Sequence, residues 1–96
     1  MSQSFTLYSY SPSTEPESER WADPYIPGIF FDDIHAVREA VMTLRKDITA
    51  DPEMDWPAMR IEKLETHPVS KQALLSLLND GVGAFLKSYE VVEIID

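Results

Sequence analysis

The stretch Ile34-His35-Ala36-Val37-Arg38-Glu39-Ala40-Val41-Met42-Thr43-Leu44-Arg45-Lys46-Asp47-Ile48 decides the class of fold. Ile34, Val37, Val41, Leu44 and Ile48 recur at spacings of three and four and form one apolar stripe. Arg38, Glu39, Arg45 and Lys46 lie on the other side, the signature of an amphipathic helix that must bury one face. Asp32 or Asp33 can cap its start by accepting from free backbone N–H groups, and Arg45 and Lys46 complement its negative C-terminal end.

Working outward, Phe5 to Tyr10 alternates Phe5 and Leu7 against Thr6, Tyr8 and Tyr10 and reads as a strand, ended by the prolines Pro12 and Pro16. Met59 to Glu65 reads as a second strand with Met59 and Ile61 on one face, and Leu64 breaks the alternation, which suggests a bulge or a strand end. Ser70 is a good cap for a second helix, with Val69 and Leu74 at the positions of a hydrophobic staple. That helix runs to about Asn79, is expected to bury Leu74, Leu77 and Leu78, and stops where Gly81 takes a left-handed conformation. Phe85 to Ile95 is rich in strand formers and completes the order strand, helix, strand, helix, strand. The expected fold is α+β, a single small domain over residues 1–96. It would be a two-layer sandwich, with right-handed crossovers placing both helices on one face of a three-stranded sheet.

Charge divides the chain differently. The formal net charge is −9, and two connections carry all of it. Residues 11–33 hold six acids against Arg20, residues 47–55 hold four against none, and the rest is balanced at seven acids and seven bases. An acidic surface is repelled by phosphate backbones and anionic lipid, so direct nucleic-acid or membrane binding is disfavoured. Cysteine is absent, which removes disulfides, thiolate zinc sites and cysteine nucleophiles and suits a reducing cytoplasm. Met1 to Thr14 contains no Lys or Arg and no long apolar run, so a cytoplasmic protein without a secretory signal or membrane span is expected.

The candidates for chemistry are few. His35 sits beside Asp32 and Asp33 at the start of the first helix, and His67 lies near Glu65 and Ser70. The latter set resembles a catalytic triad by residue type only, since Ser70 is better explained as a helix cap. Asp47, Asp51, Glu53 and Asp55 offer oxygens but lack the glycine turn and final glutamate of a calcium loop. Gly81-Val82-Gly83 follows a helix, whereas a phosphate loop precedes one. No metal or other cofactor is expected.

The long connection over about 11–29 combines acids with large apolar groups. Ile29, Phe30 and Phe31 are expected to pack on the chain's own core, and Trp56 repeats the pairing of an aromatic ring with acids at the second connection. Trp21 and Tyr25, with Glu15, Glu17, Glu19 and Asp23 about them, suit a surface that docks on another protein bearing a basic surface. The expectation is therefore a non-enzymatic protein-interaction or regulatory module. One alternative is an acidic mimic of nucleic acid that inhibits a nucleic-acid-binding protein; another is a small enzyme using His35 or His67.

Overall fold

The computed structural model describes residues 3–21 and 29–96. Three strands, β1 (Thr6–Pro12), β2 (Met59–Thr66) and β3 (Leu86–Ile95), form one sheet in the order β1-β2-β3. Helix α1 (Ile34–Thr49) links β1 to β2, while α2 (Lys71–Asp80) and the one-turn α3 (Val82–Phe85) link β2 to β3. Both strand pairs are antiparallel, with Thr6 opposite Glu65 and Pro12 opposite Met59, then Met59 opposite Ile95 and Thr66 opposite Leu86.

The α+β class and element order agree with the sequence, but the crossover expectation does not apply. Handed crossovers join parallel strands, whereas antiparallel neighbours let the chain return without one. The α1 stripe packs on the face carrying Tyr8, Tyr10, Met59, Ile61 and Ile95, around Val37 and Val41, which are fully buried. Asp33 provides the cap, accepting from the Ala36 N–H at 2.8 Å. Arg38 then ties α1 to β3, donating from Nε and Nη2 to the carboxylate of Glu93 at 2.9 and 2.8 Å. That hydrogen bond holds the Glu93 carboxyl below the ordinary carboxylate range.

Leu7 alternates with Tyr8 and so points away from the α1 core. Leu77 of α2 and Val82 and Phe85 of α3 gather about Leu7 and Phe30 instead. The contacts therefore do not place both helices on the face that α1 covers. Of the residues expected to join the core, Phe31 does so, bridging the outer edge of β1 through reciprocal backbone hydrogen bonds with Tyr8 at 2.8 and 3.0 Å. Phe30 turns to the other side, and Ile29 is exposed.

Leu64 does not mark a bulge in β2; it belongs to that strand's second buried row with Arg60, Glu62 and Thr66. The extra residues lie in β3. Ile61 and Glu62 oppose Glu93 and Val91, passing over Val92, and Glu65 and Thr66 oppose Ser88 and Leu86, passing over Lys87. Gly81 has the expected positive φ of 93°, but its ψ of −179° is extended, a combination open essentially only to glycine. It ends α2, with its N–H donating to the Leu77 carbonyl at 3.1 Å, and lets α3 start immediately.

Candidate protein-interaction site

The site is built on the second buried row of β2. Met59 and Ile61 face α1, so Arg60 and Glu62 are turned into the opposite face, where both are buried. A buried carboxylate is tolerated only where donors replace water, and Glu62, at 0% exposure, has them. Ser11 Oγ donates to it at 2.9 Å, Arg20 Nε donates at 2.9 Å, and the Tyr89 hydroxyl closes the third side. Arg60 Nε lies 3.5 Å from the same carboxylate and donates to Ser11 Oγ at 2.7 Å, while its Nη1 donates to the Glu15 carbonyl at 2.6 Å. Burial first, then the hydrogen bond to Glu62 and its negative charge, push the Tyr89 phenol far above the usual tyrosine range against the opposing charge of Arg60.

These bonds fasten the first acidic segment to the sheet. A single 3-10 turn over Glu17–Glu19 precedes Arg20, which also reaches Ser9 Oγ at 3.3 Å and the Tyr10 carbonyl at 3.4 Å. Trp21 follows, with its ring stacked on Phe30 at a centroid distance of 6.2 Å and edge-on to Tyr89 at 6.1 Å. The Arg20 guanidinium lies 4.0 Å from the centre of the same ring. A Cβ built on Gly83 would sit 2.8 Å from Trp21 Cβ, so α3 reaches Trp21 because residue 83 has no side chain. Arg60 Nη2 and Trp21 Nε1 are buried without a hydrogen-bond partner among the described residues.

The expected partner-contacting residues thus separate. Trp21 is half-buried and acts first as a clamp on the sheet; Glu15 is half-buried with its carbonyl engaged by Arg60; Glu17 and Glu19 are exposed. Asp23 and Tyr25 lie outside the described residues. Trp56 is half-buried against the α1 core, and its indole N–H points to the Ile95 carbonyl at 3.4 Å.

Two of the three α2 leucines expected in the core are not buried. Leu74 and Leu78 are 45% and 79% exposed, and Leu75 is 48% exposed. Leu77 turns inward to a cleft of about 150 Å³ that it shares with Leu7, Phe30, Val82, Phe85 and Leu86. The signal was present in the sequence: at 100° per residue, leucines at 74, 75, 77 and 78 cover an arc of roughly 160°, wider than one packing stripe requires. A short helix packed along one side leaves the remainder facing outward.

His35 and His67 are both exposed. His67 borders a shallow hollow with Ser70, Gln72 and Ser76, and Ser70 Oγ accepts from the Ala73 N–H at 3.1 Å as the helix cap. Asp47, Asp51, Glu53 and Asp55 are exposed, Asp51 accepts from the Glu53 N–H at 2.9 Å, and no metal-holding group of ligands occurs among the described residues. Among the described residues no helix is long and apolar enough to cross a membrane. No family model matches the chain, and no curated protein or solved structure matches it either.

Proposed function

We propose that this chain is a non-enzymatic protein-interaction module, acting in a reducing compartment such as the cytoplasm, whose principal contact is the outer face of α2. The observation that carries this reading is Leu78, 79% exposed beside Leu74 and Leu75 on one helix. Burying a leucine is worth about 1.5–3 kcal/mol, so three left outward together forgo a stabilisation that a partner can restore. The rest of the fold supports the same reading: a capped helix and a doubly covered sheet provide a rigid base, which limits the ordering cost of association. Glu15, Glu17, Glu19 and Asp23 supply charge that steers a basic surface towards the chain, and Trp21 and Tyr25 are aromatic residues of the same segment suited to contact it.

The test is affinity capture from native cells with the wild type and with the double variant Leu75→Asp/Leu78→Asp, compared by mass spectrometry. A partner held by the wild type and lost by the variant is expected, with the urea midpoint little changed because both side chains are substantially exposed. Equal capture by both proteins would remove α2 as the contact.

A further inference from the structure

A larger groove lies along α1, between that helix and Tyr10 of β1. Its volume is about 530 Å³, and Tyr10, Ala36, Ala40 and Leu44 form its apolar part. Two carboxylates, Glu39 and Asp47, also line it, and no base among the described residues does. Eight residues of helix separate the two acids, so they stand about 12 Å apart along the axis. Both are exposed, and among the described residues neither is in a salt bridge. The bases of α1 do not offset them in the groove: Arg38 is bound to Glu93 of β3, while Arg45 and Lys46 are exposed outside the lining. Asp47 lies in the last turn of α1, where the helix presents its negative pole, and it opens the connection 47–55, which holds four acids and no base.

From this we infer that the α1 groove receives a basic helix from another protein, laid along α1 with apolar residues on Ala36, Ala40 and Leu44 and two Lys or Arg residues at Glu39 and Asp47. Charge complementarity selects the occupant, because every charged group lining the groove is negative. The short side chains of Ala36 and Ala40 let a second helix approach to the near end of the usual 8–10 Å interaxial range, about two turns of which span the two carboxylates. A strand is a poor occupant. Phe31 already pairs with Tyr8, the Tyr10 carbonyl accepts from Arg20, and Pro12 has no N–H to offer. A single metal ion cannot bridge carboxylates about 12 Å apart along the helix. A second copy is disfavoured too: like grooves would bring four carboxylates together, and each chain carries −9. The groove shares no residue with the leucine face of α2, so the inference does not rest on the role given to that face.

The probe is a fluorescein-labelled synthetic peptide of roughly four helical turns, with alanines and leucines along one face and lysines two turns apart beside it. Its control is a scrambled peptide of the same composition and net charge. Fluorescence anisotropy with the full chain should give about tenfold tighter binding of the patterned peptide and a loss of about tenfold on Glu39→Lys/Asp47→Lys. Glu53→Lys/Asp55→Lys changes the net charge equally at exposed positions outside the groove and should cost only about twofold. Ala40→Gln, which obstructs the groove without altering charge, should also cost about tenfold, with urea midpoints checking that each variant is folded. Should Ala40→Gln fail that check, the two charge reversals decide alone. Equal affinity for the two peptides, or equal losses on the two charge reversals, would overturn the inference by reducing it to overall charge. Binding lost on Leu78→Asp but kept by Glu39→Lys/Asp47→Lys would overturn it as well, since the peptide would then sit on α2, and the reading of that face would stand.

Discussion

Glu62 is the residue on which the second face of the sheet turns. Two guanidiniums, a hydroxyl and a phenol converge on one fully buried carboxylate, so Arg20 and Arg60 share a single counter-ion. Such a cluster costs several kcal/mol per ion to desolvate and is weak evidence for high stability; what it fixes is position. Tyr89 reports on it. Its folded pKa is raised above its unfolded value near 10, so the folded chain holds this proton more tightly. The stabilisation is complete below about pH 10 and is lost as pH rises towards the folded value, because only the unfolded state releases the proton there. Stability measured by urea should therefore fall more steeply above pH 10 in the wild type than in Tyr89→Phe. Parallel pH profiles for the two proteins would separate the phenol from Glu62.

At the level of elements, α1 was legible in full because five apolar residues repeat at its period and a capping aspartate precedes them. The strands were legible to within a residue or two, since β-branched and aromatic residues cluster there. The burial of Arg60, Glu62, Ser9 and Ser11 was not legible, because nothing local in a strand distinguishes a polar row facing water from one facing a partner row. The site was readable only in part for the same reason: the exposure of Leu78 depends on which side of α2 packs, a tertiary choice. The helix α3 escaped notice because four residues are too few to show a period. Its placement yields a sharp expectation. Gly83→Ala would put a methyl group 2.8 Å from Trp21 Cβ, where backbone or ring must shift, and should destabilise the protein by about 1–3 kcal/mol in denaturant unfolding. An unchanged midpoint would mean that α3 yields without cost.

For the molecule as a whole, principal extents of 49 × 25 × 17 Å and a radius of gyration of 14.7 Å describe an elongated body; a compact domain of this length has a radius of gyration of about 12.5 Å. The buried apolar residues concentrate between α1 and the sheet, while α2 contributes no fully buried side chain. The same buried carboxylate also bears on the order in which the sheet is assembled. Glu62 meets Ser11 across 51 residues of chain and Tyr89 across 27. Nearly doubling the loop to be closed costs about 0.6 kcal/mol, roughly a threefold advantage in rate for pairing β2 with β3 before β1. Stopped-flow folding should show Val91→Ala in β3 slowing refolding and Leu7→Ala in β1 mainly accelerating unfolding, with the reverse pattern placing β1 in the nucleus. In that sequence of events the central strand spends its early life with one neighbour, its Arg60 and Glu62 answered only by each other and by Tyr89. The acidic segment, arriving last with Arg20, adds a second cation to the Arg60–Glu62 pair, removes that pair from water and closes the fold.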